Sequence, residues 1–183
     1  MRRKDREMDR EFAYSLIDKA SFGTLSLIDG DKPYGIPLSL VREGDNLYFH
    51  SAKQGKKVEL LAHNPYVSVT FVGDTKIPEL FSQEELEEMA RDESKAAVLI
   101  SNVFTTEFAS AIVTGRAQLV AEEAERVKAI KLICEKYTPT KMAYFAMALK
   151  SGLKRMNLYK IQIDEVTAKR KKYNEQGKEI KAI

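Results

Sequence analysis

Short alternating segments separated by tight turns constrain the fold of this chain more than any other feature. Residues 24–28 alternate apolar and polar side chains, 34–41 follow an Asp-Gly-Asp turn, and 47–50 follow a Glu-Gly-Asp-Asn turn. Alternation with period two predicts strands, and Asp/Gly turns of this length predict hairpins. Residues 22–51 are therefore predicted to form a three-strand meander.

The rest of the chain mixes further strand patterns with helices of 3.6-residue periodicity. Asp9 is the predicted cap of the first helix, and Ser82 with Glu85 is a predicted capping box. In chain order the predicted elements are helix 9–20 (which precedes the meander), helix 58–61, strand 66–72, helix 83–91, strand 108–120, helix 122–137, helix 140–150 and strand 156–163. The strands follow one another as hairpins rather than as βαβ units. This order predicts an antiparallel barrel with helices around it.

Composition excludes several classes of protein. The chain has 183 residues, of which 44% are hydrophobic, and its 30 basic and 27 acidic residues leave a net charge of +3. This balance argues against disorder, and the single cysteine, Cys134, argues against a disulfide scaffold. No apolar run approaches the roughly 20 residues of a membrane span, and the N-terminus is too charged for a signal sequence. We predict a single cytoplasmic domain, residues 1–183, without membrane association.

The charges are unevenly distributed. Residues 74–93 carry eight acids against two bases, and residues 154–183 carry nine bases against four acids. We interpret 74–105 as an inserted acidic connection with a helix, and 166–183 as a basic C-terminal tail. A basic tail can bind nucleic acid. The interspersed acids and scarce aromatic residues favour a solvated segment instead, so nucleic-acid binding is the third function hypothesis.

Metal and nucleophile motifs are missing from the sequence. The only candidate metal ligands of the His/Cys type are His50, His63 and Cys134, and their spacing does not suit a zinc site. The sequence contains no Gly-x-Ser-x-Gly elbow, Gly-x-Gly-x-x-Gly fingerprint or Walker loop. We predict no metal site.

The segment 48–57 is the most informative for function, because a strand end leads into a helix start. Helix N-termini attract anions, and here Ser51 adds a hydroxyl, Gly55 permits close approach, and Lys56 and Lys57 add two charges. This composition suits a phosphate cradle. A surface turn with solvated lysines would look the same from composition alone.

Two neighbouring features point to a ligand. Period-two alternation places Tyr48 and His50 on one face, which could line a pocket with an aromatic ring and a titratable ring. A lone histidine at a strand end is also typical of a hydrogen-bonding wall residue. Pro33 and Pro37 favour a kinked or edge strand with unpaired backbone groups.

The order of motifs resembles that of a known family. The motifs are Gly23-Thr24-Leu25, Pro-Tyr-Gly-Ile-Pro-Leu-Ser after Gly30, Leu-Tyr-Phe-His-Ser-Ala-x-x-Gly-Lys-Lys from Leu47, Asn64-Pro65-x-Val67-x-Val69, and Ser110 through Ala117. Together they resemble the FMN-binding split β-barrel family related to pyridoxamine 5′-phosphate oxidase. The Phe-His-x-Ala-x-x-Gly-x-Lys pattern is similar to the nitroimidazole-resistance branch. The resemblance covers residues 9–120.

The resemblance implies a mainly β (α+β) fold, an antiparallel Greek-key split β-barrel with peripheral helices. It also implies a set of FMN-binding residues: Ile36, Pro37, Leu38, Ser39, His50, Ser51, Gly55, Lys56, Lys57 and Ser110. His50 is the candidate catalytic residue, close to the flavin ring. In this family the cofactor lies between two subunits, which implies a homodimer.

The implied activity is reduction of a small organic acceptor, such as a nitroaromatic, with NAD(P)H as donor. FAD or a deazaflavin could occupy the same cleft. A haem- or flavin-binding protein without turnover is the alternative, with His50 or His63 as axial ligand. Residues 154–181 contain no match for the arginine and histidine with which the oxidase binds substrate, which argues against pyridoxamine phosphate oxidation.

Overall fold

A computed structural model describes residues 2–181. Its strands are β1 (Glu7–Met8), β2 (Gly23–Asp29), β3 (Lys32–Leu38), β4 (Val41–Glu43), β5 (Asn46–Ala52), β6 (Tyr66–Val72), β7 (Phe108–Leu119) and β8 (Met156–Lys171). Its α-helices are α1 (Arg10–Lys19), α2 (Lys56–His63), α3 (Gln83–Ala90), α4 (Ala96–Val98), α5 (Glu123–Tyr137) and α6 (Phe145–Gly152). None of these helices is long and apolar enough to cross a membrane.

The strands form one antiparallel sheet in the order β3-β2-β6-β7-β8-β5-β4, with β1 added beside β8. The sheet curls around a core without closing, because β3 and β4 lie at its two ends. Helix α1 packs against the core of the barrel, and helix α5 packs on the outer face of the sheet. The predicted antiparallel split β-barrel with peripheral helices is confirmed.

The predicted three-strand meander is only partly correct. The β2–β3 hairpin forms in full, from Gly23 opposite Leu38 to Asp29 opposite Lys32. The third strand, β5, lies near the opposite end of the sheet and pairs with β4 and β8 instead. The chain crosses between the two ends at Leu40, which is fully buried.

Two side chains of α5 hold this crossing in place. The hydroxyl of Tyr137 donates to the Leu40 carbonyl at 2.8 Å, and the Lys136 ammonium donates to the same carbonyl at 3.0 Å. The same ammonium donates to the carbonyl of Ile17 at 3.1 Å. These bonds satisfy backbone groups that the crossing removes from the sheet.

The last strand is longer than its alternation predicts. β8 continues to Lys171, so the first residues of the predicted basic tail, 166–171, belong to the sheet. A bulge causes the difference: Thr114 pairs with Glu165 and Gly115 pairs with Ile163, which leaves Asp164 unpaired. The extra residue reverses the phase of alternation, so the apolar pattern stops at Ile163 and resumes out of phase.

Apolar side chains gather in two clusters, one on each face of the sheet. The larger cluster fills the barrel and includes Leu25, Phe49 and Phe71 together with the buried side of α1. The smaller cluster lies between α5 and the outer face of β4, β5 and β8. Strand β5 contributes to both, because its successive side chains point to opposite faces.

Sequence signals for helix starts are confirmed. The Asp9 carboxylate accepts from the backbone N–H of Phe12 at 2.7 Å and caps α1. Ser82 and Glu85 form the predicted capping box at the start of α3, within the acidic connection. This connection is attached to the C-terminal segment through Glu107, whose carboxylate accepts from the N–H of Tyr173 at 2.7 Å.

The bulge predicts a strong effect of substituting Gly115. A Cβ at this position would overlap the Gln162 carbonyl oxygen, which belongs to the β8 backbone and cannot move aside. We expect Gly115→Ala to lower the free energy of unfolding by about 2–3 kcal/mol. Gly35→Ala is the control, since its Cβ would meet only the Thr24 methyl at 3.7 Å. Urea denaturation measures both; equal stability of the two variants would contradict the role of the bulge.

Candidate functional site

The barrel is open along two unpaired strand edges. β3 pairs only with β2 on one side. β5 pairs with β8 over its whole length, but its second partner, β4, reaches only from Asn46 to Tyr48. Within residues 2–181, the edge of β3 and the edge of β5 at 49–52 therefore have no strand partner. These edges and α2, which follows β5, form the candidate site.

The start of α2 offers backbone donors. Gly55 precedes the helix with φ of +122°, a conformation that residues with a side chain rarely adopt. Its carbonyl accepts the N–H groups of Val58 and Glu59 at 2.9 and 3.2 Å. The N–H groups of Lys56 and Lys57, which come before them, point out of the helix end as they do in any first turn.

Lys56 connects α2 to the β2–β3 hairpin. Its ammonium forms an ion pair with the Asp29 carboxylate at 2.5 Å and lies 5.2 Å from the centre of the Tyr34 ring. The hydrogen bond to Asp29 raises the pKa of Lys56. Both side chains are substantially exposed, so the pair positions the helix more than it stabilises the fold.

Lys57 lies on the other side of the helix start and is half-buried. Its ammonium lies 5.7 Å from the centre of the Phe49 ring, which stacks on Tyr159 with ring centres 5.0 Å apart. Among the described residues, no carboxylate lies within 4.0 Å of this ammonium. Desolvation consequently lowers the pKa of Lys57. A half-buried cation without a counter-charge is suited to an anionic ligand.

His50 and Ser51 point to opposite faces of β5. The Ser51 side chain is buried and its hydroxyl donates to the Ala52 carbonyl at 2.8 Å. His50 reaches the surface, where desolvation by neighbouring protein and the charge of Lys57 lower its pKa. Tyr48 shares the His50 face, but α5 covers it and its hydroxyl donates to Glu125 at 3.0 Å. The expected pocket face therefore presents His50 without Tyr48.

The β3 residues named by the family resemblance divide between the two faces of that strand. Ile36 and Leu38 are partly buried against the barrel core, while Pro37 and Ser39 are exposed. Tyr34, also on the inner face, contacts Lys56. β3 therefore runs from the start of α2 at one end to Ser39 at the other.

Ser110 lies far from the lysine pair within one chain. It pairs with Lys169 of β8, whereas His50 pairs with Leu158, so the two positions are separated by roughly 30–35 Å along that strand. The register instead places Ser110 near the far end of β3: Leu38 is opposite Gly23, and Val72 is opposite Ser110. The structure brings Gly55, Lys56, Lys57 and His50 together, and it leaves Ser110 apart from them.

The contacts of the two lysines went unrecognised in the sequence. Asp29 and Tyr34 contact Lys56, and Phe49 and Tyr159 form the aromatic pair below Lys57. The hairpin register could have placed Asp29 beside Lys32, but no local signal connects it with Lys56. These contacts depend on the way α2 packs against β2.

The donor set identifies the kind of ligand that fits. Two ammonium groups, outward backbone N–H groups and a glycine without a side chain suit a phosphate monoester. Comparison with known families agrees: the profile described as pyridoxamine 5′-phosphate oxidase matches residues 9–170. The chain belongs to the pyridoxamine 5′-phosphate oxidase family. The family resemblance drawn from the motifs is confirmed, and the flavin-binding character of this family is consistent with an anionic ligand.

Solved structures share the fold of this family member at low sequence identity. A proposed 5-nitroimidazole antibiotic resistance protein from Bacteroides thetaiotaomicron is 22% identical with a TM-score of 0.67, over 90% of this chain and 86% of that one. An FAD and haem binding protein from Mycobacterium smegmatis is 18% identical with a TM-score of 0.69, over 91% and 73%. An FAD-binding protein from Mesorhizobium loti is 18% identical with a TM-score of 0.59, over 90% and 96%. No curated protein sequence matches this chain.

The charge of Lys57 predicts the titration of His50. We expect the His50 pKa to lie below the ordinary 6.5 and to rise in Lys57→Met, because the variant removes a nearby positive charge. Below pH 6.5 the unfolded chain binds more protons at this position than the folded protein, so His50 makes stability fall as pH decreases. NMR titration of the ring proton in a His63→Gln background, which leaves a single histidine, measures the pKa. An unchanged value in Lys57→Met would contradict the proximity of the two groups.

Proposed function

We propose that this chain is an FMN-binding oxidoreductase that reduces a small organic acceptor, such as a nitroaromatic or nitroimidazole, with electrons from NAD(P)H. The observation that carries the proposal is Lys57, a half-buried ammonium without a carboxylate partner among residues 2–181, beside Lys56 at the start of α2. This pair lies at the opening of a family fold associated with flavins.

The residues present fit FMN through its phosphate. Lys57 and Lys56 would bind the phosphate together with the backbone N–H groups of the α2 start, and Gly55 would leave room for it. Exposed Pro37 on β3, Ser39 just after this strand, and the free edge of β3 would lie alongside the rest of the cofactor. Electron transfer is the chemistry that the flavin supplies when it is bound.

His50 lies on β5, and desolvation together with the charge of Lys57 lowers its pKa. Its lowered pKa keeps the imidazole neutral at pH 7, so one ring nitrogen carries a proton and the other accepts a hydrogen bond. In that state it can donate to, or take a proton from, an acceptor held near the cofactor. We assign it the role of positioning or proton transfer for the acceptor rather than of binding the phosphate.

The proposal includes a homodimer with the cofactor between subunits. The outer face of β2, β6 and β7 carries the exposed apolar side chains Ile28, Tyr66, Val72 and Ile112. Between them the register aligns small residues, including Ser26, Ser68 and Thr114, which permit close approach of another sheet. A second copy on this face would also explain why Ser110, on the same face, lies far from Lys57 of its own chain.

A haem-binding protein is the second candidate. The names of two proteins of similar fold support it: an FAD and haem binding protein and a flavocytochrome from Azotobacter vinelandii, the latter with a TM-score of 0.67. His50 or His63 would be the axial ligand. The His63 Nδ1 lies 2.7 Å from the Glu59 carbonyl, which leaves Nε2 for such a bond. A Soret band in the purified protein would favour this candidate over the first.

Replacing Lys57 tests the cofactor and the reaction together. We expect the purified protein to show a flavin absorption spectrum and to release FMN on denaturation. Lys57→Met should weaken FMN binding by about 10- to 100-fold, since it removes a charge-assisted interaction worth about 1.5–3 kcal/mol. The matched control is Lys141→Met, which removes an exposed charge in the segment that follows α5. Equal FMN affinities of the two variants, measured by fluorescence quenching, would contradict the phosphate assignment.

Turnover is measured on the same proteins as NAD(P)H oxidation in the presence of a nitroimidazole. His50→Ala should slow acceptor reduction more than it weakens FMN binding. An FMN-loaded protein without NAD(P)H-dependent reduction of any nitroaromatic would restrict the function to cofactor binding. Unchanged turnover in His50→Ala would remove His50 from the reaction.

A charge on the outer sheet face tests the dimer. Ile112→Glu should convert the protein to a monomer, because the carboxylate would be buried without a partner in the interface. FMN binding should weaken with it, although Lys56 and Lys57 are intact. Met147→Glu, on the exposed surface of α6, is the control. Sedimentation velocity measures the mass. If Ile112→Glu remains a dimer, this face is not the dimer interface. If it is a monomer with full FMN affinity, the cofactor site is not shared between subunits.

A further inference from the structure

A cleft separate from the lysine pair lies between α1 and the C-terminal end of β8. Its volume is about 520 Å³, which is within the range of small-molecule sites. Its apolar lining includes Phe12, Leu16, Phe22, Val72 and Ala109. None of the cofactor residues implied by the family resemblance lines it.

The charged part of the lining is mainly cationic. Lys19, Arg170 and Lys172 line the cleft, against the single carboxylate of Asp74. A smaller cavity of about 230 Å³ shares Asp74, Ala109, Arg170 and Lys172 with it. This extension adds Lys76 and Glu107, which form an ion pair at 3.3 Å, and Lys171. Five cations therefore face two carboxylates in the combined cleft.

Arg170 is the residue that points most clearly to a ligand. Its guanidinium lies 5.6 Å from the centre of the Phe12 ring, and its Nε is fully buried without a hydrogen-bond acceptor among residues 2–181. A buried donor without an acceptor is rare in folded proteins, because its lost hydration is not replaced. The rest of the guanidinium lines the cleft and has no ion pair or side-chain hydrogen bond among residues 2–181, so an anionic oxygen in the cleft would supply its counter-charge.

The neighbouring Lys171 increases the positive charge. Its side chain is buried, and within the described part of the chain its ammonium donates only to neutral oxygens, the Ser101 carbonyl and the Thr105 hydroxyl. It therefore leaves a positive potential beside Arg170 that its own contacts do not neutralise. Lys19 and Lys172 are exposed at the rim and could attract an anion from solvent.

We propose that this cleft binds a small organic anion. An apolar or aromatic body would pack against Phe12 and Phe22, and a carboxylate or phosphate would accept from Arg170, with Lys19 and Lys172 flanking it. The apolar lining distinguishes this site from a site for inorganic ions, and the cations distinguish it from a site for neutral compounds. The proposal does not depend on FMN binding, because different residues form the two sites.

Calorimetric titration with three naphthalene probes tests the proposal. The probes are 2-naphthoate, 2-naphthyl phosphate and the neutral 2-naphthamide, and the protein is saturated with FMN so that the lysine pair is occupied. We expect at least one anion to bind at least tenfold more tightly than the amide. The anion that binds more tightly identifies carboxylate or phosphate as the preferred group. Equal affinities of all three probes, or the absence of binding, would overturn the proposal.

Substitutions then locate the binding. Arg170→Met should bring the affinity for the tighter-binding anion to within about twofold of the affinity for the amide. Lys141→Met should leave the preference for the anion over the amide unchanged. Because Arg170→Met could impair folding, the double variant Lys19→Met/Lys172→Met, which changes two exposed residues, is a second test. We expect it to weaken binding of the anion by at least threefold. Retained preference in both cleft variants would overturn the assignment.

Lys57→Met separates this proposal from the flavin site. This variant should weaken FMN binding. In the flavin-free protein, it should leave the binding of naphthoate or naphthyl phosphate unchanged. If Lys57→Met abolishes anion binding and Arg170→Met has no effect, the probe binds at the lysine pair. This result would overturn the assignment of anion binding to the cleft.

Discussion

The pairing of β8 holds the two halves of the barrel together. This strand pairs with β7, β5 and β1, so it joins the half of the sheet that carries the β2–β3 hairpin to the half that leads into α2. The bulge at Asp164 lets a single strand present apolar side chains to the core along both halves. Gly115 makes that bulge possible, because only a residue without Cβ fits against the Gln162 carbonyl.

The opening of the barrel follows from the same arrangement. Since β3 and β5 lie near the two ends of one sheet, their inner edges face an opening rather than each other, and α2 reaches across it. Lys56 contacts the hairpin side through Asp29, while Lys57 lies over Phe49 on the β5 side. The two lysines are adjacent in sequence, yet they connect elements from opposite ends of the sheet. Lys56 has a carboxylate partner, whereas Lys57 has only an aromatic neighbour among the contacts described above. Lys57 is therefore the lysine better suited to bind an anionic ligand.

Local patterns predicted the elements well, and motif order predicted the family. Strand 66–72, the Asp9 cap and the Ser82–Glu85 capping box follow from nearest-neighbour chemistry and match the structure. The pairing of β5 could not be predicted in this way, because Leu40 crosses the barrel under long-range contacts from α5. The end of β8 was missed because one unpaired residue reversed its alternation. For the site, the lysine pair was recognisable from spacing, whereas Asp29 and the orphaned Arg170 depend on tertiary packing.

The long separation of Ser110 from the lysine pair within one chain has a genetic consequence in the proposed dimer. Each cofactor would draw its phosphate contacts from one chain and its Ser110 contact from the other. A chain damaged only at Lys57 and a chain damaged only at Ser110 would then assemble into a mixed dimer with one complete site and one doubly defective site. Two inactive alleles could therefore complement each other when they are expressed together, which a site contained within one chain would not permit.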